Sequence, residues 1–193
     1  MISHKHKCIF VHCHKCAGET IELAVLGKAD RGIGGDHYKG SREKHFSVNR
    51  YIKKYGENMW NNYFTFSFVR NPWDRVISWI RYRDTRWNLY GGEINASIIK
   101  KEVSSKFYTK NTYYNLLSLG GDFDINFIGR FENLQEDFNT ICDKIGIPRQ
   151  ELPHVNKTEH KHYTEYYDDE TKQIVAEKYA KDIEYFGYEY GGD

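Results

Sequence analysis

The sequence predicts an α/β fold with a central parallel β-sheet flanked by helices, on three observations. Short apolar, β-rich runs recur along the chain, each run passes at once into a turn, and each turn opens a segment with helical periodicity. Strand–turn–helix units in series place their strands side by side and parallel, because the helix returns the chain to the same end of the sheet. With 193 residues, no repeat of fixed period and no low-complexity linker, residues 1–193 read as a single domain.

The first unit begins at residues 8–13, CIFVHC, a continuous run of the kind that a strand buried on both faces shows. A small-residue turn follows, then a helix over residues 20–26 that stops at Gly27. The second unit begins at residues 63–69, YFTFSFV, and passes through Arg70 into Asn71, a helix cap, and Pro72, which suits a first helical turn. Trp73, Val76, Ile77 and Ile80 then recur at helical spacing, the mark of a helix laid on a sheet. The third unit runs from residues 125–129 through Arg130 to a helix from Leu134, with Asn133 and Glu136 as a capping-box pair and Gly146-Ile147-Pro148 as its stop. A last helix starts near Asp168 and carries Ile174, Val175, Tyr179, Ile183 and Phe186 on one packing stripe before Gly187. Residues 90–122 hold two Gly-Gly pairs and mixed polarity, and are read as helical insertions.

Composition narrows the function classes. Hydrophobic residues make up 39% and charged residues 28%, which fits a soluble globular protein and excludes collagen, coiled coil and a disordered chain. Lys and Arg total 28 against 27 Asp and Glu, so the molecule is no polycation for nucleic acid or anionic membrane, and any anion site is local. No stretch approaches the ~18 apolar residues of a membrane span. Residues 1–7, with His4, Lys5, His6 and Lys7, lead into only a short apolar run and read as neither signal peptide nor anchor. Three of the four cysteines crowd into Cys8, Cys13 and Cys16, with Cys142 apart, a poor pattern for stapling a domain; a reducing, cytoplasmic location is the expectation.

The turn after the first strand carries chemistry. In His12-Cys13-His14-Lys15-Cys16-Ala17-Gly18-Glu19-Thr20 a buried strand meets a helix N-terminus, where backbone N–H groups and the helix dipole favour an anion. Ala17 and Gly18 allow a phosphate close to the backbone, Lys15 adds a point charge and Thr20 a hydroxyl, although the Gly-x4-Gly-Lys-Ser/Thr form of nucleotide triphosphatases is absent. At the end of the second strand Arg70 offers a fork of donors, and Ser78, eight residues on, a hydroxyl for a second phosphate. Two grips call for a ligand with two separated phosphates.

These segments resemble the sulfotransferases that use 3′-phosphoadenosine 5′-phosphosulfate (PAPS), in particular the carbohydrate, membrane-type, family 2-like branch. There a Pro-Lys-Thr-Gly-Gly-Thr-Ser-like loop binds the 5′-phosphosulfate and an Arg-Asn-Pro-x-x-Arg-x-x-Ser-like segment binds the 3′-phosphate. The second segment matches closely here, from Arg70 to Ser78; the first is looser, with His14, Cys16 and Glu19 in place of Pro, Thr and Thr. The likeness continues through residues 128–134, residues 152–158 and the Tyr-rich end. It implies a three-layer, P-loop-like fold and a single sulfotransferase domain. It also implies a donor site of Lys15, Cys16, Ala17, Gly18, Glu19, Thr20, Arg70, Ser78, Arg130 and Lys157, with PAPS as co-substrate and no metal required. The expected reaction is sulfuryl transfer to a hydroxyl, first of all a saccharide hydroxyl, with a small alcohol, a lipid or tyrosine behind it.

A carboxylate beside a phosphosulfate is repelled, so Glu19 is expected to point away or to meet a basic partner. Lys15 stands where it neutralises the leaving oxygen, and the acceptor needs a base, a task suited to histidine. Of the nine histidines, His45 is favoured because the branch keeps its base histidine in a similar segment between the two phosphate elements; His37, His14 and His12 are alternatives, and Glu43 is a distant one. For Arg130 the bland reading is a surface ion pair with Glu132 or Glu136. Trp73, Trp79 and Trp87 suit stacking on adenine or sugar rings, against a core role for Trp73. Three rival readings compete: a Cys/His metal site around His4, His6, Cys8, His12, Cys13, His14 and Cys16; a redox Cys13-x-x-Cys16; and a non-catalytic nucleotide- or glycan-binding protein of the same fold.

Overall fold

A computed structural model of the chain describes residues 1–27, 45–152 and 161–192. In chain order the elements are β1 (Ile2–Ser3), β2 (Cys8–Val11), α1 (Gly18–Leu26), α2 (Val48–Tyr55), α3 (Glu57–Asn62), β3 (Phe64–Val69), α4 (Pro72–Trp87), α5 (Ala96–Val103), α6 (Lys106–Lys110) and α7 (Tyr113–Leu117). There follow β4 (Ser118–Leu119), β5 (Asp122–Phe123), β6 (Phe127–Arg130), α8 (Leu134–Ile145), α9 (Asp169–Lys178) and α10 (Ala180–Phe186). They form two compact units, Met1–Val69 with Asn115–Lys157, and Arg70–Tyr114 with Thr158–Asp193.

The first unit holds a sheet in the order β1-β2-β3-β6. The strands β2, β3 and β6 are parallel, as three strand–turn–helix units require, but β1 pairs antiparallel with β2, so the sheet is mixed, which corrects the all-parallel expectation at one edge. A chain that reaches β2 through the tight turn at residues 4–7 has no length for a crossover and can only arrive antiparallel. β2 is buried throughout, and Phe10 lies in register with Phe66 of β3, their rings 5.1 Å apart. Gly129 in β6 leaves room for its neighbour: a Cβ there would lie 2.6 Å from Cε1 of Phe68 and 3.0 Å from Cβ of Asp137.

Asn133 makes no side-chain cap on α8, contrary to the capping-box expectation. Its amide donates to Asp137 at 3.1 Å, and the other oxygen of Asp137 accepts from the backbone N–H of Arg130 at 2.6 Å. The stop at Gly146 is as expected, in the left-handed region at φ 70°.

The second unit packs Trp73, Val76, Ile77 and Ile80 of α4 against Ile99, Val103, Tyr163, Val175 and Tyr179. The expected single last helix is two, α9 and α10, because Tyr179 leaves helical geometry at φ −108°, ψ 20°. The break falls at Tyr179, whose ring lies in the core, three residues ahead of the buried carboxylate of Asp182, which accepts from the N–H groups of Tyr113 and Tyr114, both at 2.8 Å. The region of helical insertions resolves into α5, α6 and α7, and then, beyond them, the short antiparallel pair β4–β5 of the first unit. Among the described residues no helix is long and apolar enough to cross a membrane.

Glu102 on α5 is 2% exposed and is held by Arg83, Tyr90 and the Trp79 indole N–H. Burial alone would raise its carboxyl, but these donors outweigh it and hold the group below the usual carboxylate range. Burial and the Glu102 carboxylate push the Tyr90 phenol up to about 12. Glu102→Gln is expected to lower the unfolding free energy at pH 7 by about 1–3 kcal/mol, read from urea denaturation. Because the folded carboxyl lies below its unfolded value, its stabilisation is complete above about pH 4.3. It is lost as pH falls through the folded value, so the gap between variant and native protein is expected to close in acid.

Candidate functional site

The loop after β2 has an unusual backbone. Lys15 and Ala17 both adopt left-handed conformations, at φ 65° and 56°, which non-glycine residues enter only at a cost of roughly 1–2 kcal/mol each. Alternation of left- and right-handed residues turns successive N–H groups toward one concavity, the backbone nest that receives anions. Ala17 is the N-cap of α1 and makes no side-chain cap bond, so the first-turn N–H groups of that helix also face the loop. Its carbonyl already accepts from Ile21 at 3.1 Å.

The other loop residues sort by burial. Gly18 and Thr20 are buried and Glu19 is exposed, so the carboxylate turns to solvent while its neighbours face inward. Lys15 is half-buried, and the Cys16 thiol is buried and donates to the carbonyl of His14 at 3.4 Å. Gly18 has a steric reason to be glycine: the ring of His12 occupies the place of a Cβ.

His12 directly follows β2 and is 5% exposed. Its Nδ1 donates to Oε1 of Glu22 on α1 at 3.0 Å, and its ring stacks on Phe10 with centroids 5.4 Å apart. His45, just ahead of α2, donates from Nδ1 to the backbone carbonyl of His12 at 2.9 Å. The His45 ring meets His12 edge-on at 4.5 Å and stacks on His14 at 3.3 Å. A carbonyl can only accept, so the neutral His45 carries its proton on Nδ1 and its lone pair on Nε2, the form in which an imidazole acts as a base through Nε2.

Within the first unit, His12 and His14 thus bring His45 to the loop of Lys15, Cys16, Ala17, Gly18, Glu19 and Thr20. Arg130 closes β6, and the parallel register puts it at the carboxyl end of the sheet, where ligands of open α/β sheets bind; its side chain is exposed. Arg70 and Ser78 belong to the second unit. The Arg70 guanidinium is held by Asp74 through Nε and Nη2, both at 2.6 Å. Its backbone N–H and carbonyl both bond the Tyr113 hydroxyl, at 2.9 and 2.8 Å. Ser78 is half-buried on α4. The Asn71 oxygen caps α4 at the N–H of Trp73 at 3.1 Å, as its sequence position predicts, and its amide donates to the carbonyls of Glu189 and Gly192. Lys157, His37 and Glu43 lie outside the described residues.

Trp73 is a core residue at 4% exposure, Trp79 stacks on Phe107 at 3.9 Å, and Trp87 is 54% exposed. Among the described residues no group of three or more His, Cys, Asp or Glu side chains is arranged to hold a metal ion. All four cysteines are buried and none forms a disulfide; Cys13 contacts the Ser67 hydroxyl at 3.5 Å while Cys16 bonds within its own turn.

The sequence reading gave no role to Glu22, Asp74 or Tyr113. For Glu22 there was a signal, a carboxylate one helical turn after Gly18 within the otherwise apolar segment of residues 20–26. Gly18→Ala is expected to displace the His12 ring from Glu22, at about 1–3 kcal/mol of stability. The measurements are a lower calorimetric melting temperature and a weaker rise of that temperature on adding pyrophosphate.

A protein of Archaeoglobus fulgidus described as an uncharacterized protein is 29% identical over 103 residues, covering 49% of this chain and 78% of the relative. No solved structure matches the chain at a significant level. A family model described as "Sulfotransferase family" matches residues 1–122 and 108–189, across both compact units, and on that match the chain belongs to the sulfotransferase family, in its family 2-like branch.

Proposed function

We propose that residues 1–193 act as one PAPS-dependent sulfotransferase domain of three-layer, P-loop-like type, which passes a sulfuryl group to a hydroxyl acceptor, first of all a saccharide hydroxyl. The observation that carries the reading is the juxtaposition of the left-handed backbone at Lys15 and Ala17, which suits an anion nest, with a histidine whose Nδ1 is tied to the carbonyl of His12. The loop suits the donor: it leads from a buried strand to the start of α1, where unpaired helix N–H groups and the helix dipole favour an anion.

The donor supplies an activated sulfuryl group joined to a 5′-phosphate. The protein's part is positioning and electrostatics, as in phosphoryl transfer. Lys15, the loop N–H groups from Cys16 to Thr20 and the dipole of α1 hold the phosphosulfate end. Arg70, its plane fixed by Asp74, and Ser78 hold the 3′-phosphate, and Arg130 and Lys157 complete the nucleotide site. Nε2 of His45 takes the acceptor proton as the new O–S bond forms and the bond to the bridging oxygen breaks; Lys15 offsets the charge left on that oxygen. No metal ion enters this scheme. The exposure of Glu19 to water argues for turnover over a binding-only role, since solvent screens its charge from the nest. The cysteine pattern supports a cytoplasmic enzyme, with no nucleic acid or membrane span among its partners.

Incubation with labelled PAPS and a panel of hydroxyl acceptors is expected to yield sulfated product without added metal; nucleotide binding with no transfer to any acceptor sinks the enzymatic reading. Lys15→Ala and His45→Ala are expected to abolish turnover, with His45→Ala leaving donor affinity nearly unchanged; a near-normal rate in His45→Ala puts the base elsewhere. Arg70→Ala is expected to weaken adenosine 3′,5′-bisphosphate by about 1.5–3 kcal/mol per lost charge-assisted bond. The same variant should bind the 3′-dephosphorylated analogue almost normally, and equal weakening of both refutes the role of Arg70.

A further inference from the structure

We infer that Glu22 and His12 are a buried positioning pair through which helix α1, the helix that carries the phosphate loop, also aims His45. The inference rests on His45 being the base of the proposed reaction.

His12 is enclosed on three sides. Phe10 lies against one face, Gly18 against its edge at Nε2, Cδ2 and Cε1, and the Glu22 carboxylate takes the Nδ1 proton. Gly18 and Glu22 are four residues apart on α1 and so share one helix face, which makes the clamp a property of that face. So enclosed, the His12 ring has no open nitrogen to present to an acceptor, and its function passes to its backbone. The carbonyl of His12 is the acceptor that selects the Nδ1–H form of His45 and leaves the lone pair on Nε2. His14 stacks on the His45 ring at 3.3 Å and the His12 ring meets it edge-on at 4.5 Å, so both neighbours limit its rotation.

The arrangement has a cost that argues for a role. Glu22 is 8% exposed on a helix whose other inward positions are Gly18, Thr20, Ile21, Val25 and Leu26, none of them charged, where an apolar side chain would pack without loss of hydration. A carboxylate is needed there only if the His12 ring must be held in one orientation. Loss of the acceptor at position 22 releases the ring, the end of β2 that it anchors, and with it the hydrogen bond that sets the proton of His45. A second-layer group of this kind changes the rate through orientation and leaves ligand contacts intact.

The test uses the full chain and two readouts, the tautomer of His45 from the ¹⁵N shifts of its ring nitrogens and the turnover of labelled PAPS. Glu22→Ala is expected to shift His45 from the Nδ1–H form toward a mixture of tautomers and to lower kcat by on the order of ten- to a hundredfold. Affinity for adenosine 3′,5′-bisphosphate should hold within about threefold, a split that general destabilisation would not produce. Glu22→Gln, whose amide oxygen still accepts from His12 Nδ1, is expected to restore the Nδ1–H form and most of the lost kcat. If Glu22→Ala does not fold, Glu22→Met, which keeps the volume and lacks the acceptor, gives the same reading. An unchanged His45 tautomer in either folded variant, or a loss of kcat in Glu22→Gln as deep as in Glu22→Ala, overturns the inference. A shifted tautomer in a protein that transfers no sulfate to any acceptor leaves the pair standing and removes the sulfotransfer reading instead.

Discussion

The close approach of the His12 ring to the backbone of Gly18 is the contact on which the loop of the first unit depends. It requires a residue without a side chain at the first position of α1, and it requires the end of β2 to be rigid. Both conditions are met by the same helix, which supplies Gly18 and, one turn on, the Glu22 carboxylate that stops the ring from turning. The strained conformations of Lys15 and Ala17 persist because the segments on either side leave them no alternative: β2 is buried along its length, and α1 presses its first turn onto His12. The strained backbone of the loop is therefore held by side chains outside it.

The second unit follows a similar logic with different groups. The segment from Arg70 to Ser78 opens a helix, and a helix start leaves N–H groups in need of partners. Asn71 meets part of that need with its oxygen and uses its amide to hold carbonyls near the carboxyl end of the chain. Arg75, the other arginine of that segment, is 1% exposed, with its guanidinium 4.5 Å over the Tyr113 ring and 5.9 Å from that of Tyr179. The Tyr113 hydroxyl ties both backbone groups of Arg70, so the ring that receives Arg75 also fixes the main chain of Arg70. Much of what reads as a binding signature in this segment thus has structural partners in the second unit, the Arg70 guanidinium included, which Asp74 holds.

Much of the fold and part of the site are legible from local chemistry. The three β-rich runs, the Asn71 cap, the Gly146 stop and the small residues of the loop follow from hydropathy period, capping and steric rules that act over a few residues, and the structure has them where expected. The antiparallel β1, the break at Tyr179 and the uncapped Asn133 were not legible, because each depends on a partner distant in the chain or on a choice between two acceptable local geometries. Asn133 is an able cap by sequence, yet Asp137 takes its amide, and no propensity weighs that competition.

By itself the sequence determined that the chain is α/β, that a small-residue loop leads from its first buried strand into a helix, and that it carries the motifs of the sulfotransferase family, since these are written in contiguous residues. Tertiary structure alone decided which histidine lies buried and which has its proton fixed. His12, His14 and His45 are chemically identical side chains. The carboxylate of Glu22, the ring of Phe10 and the backbone of Gly18, brought together when α1 packs against the end of β2, enclose the first, and the backbone carbonyl of His12 fixes the Nδ1 proton of the last.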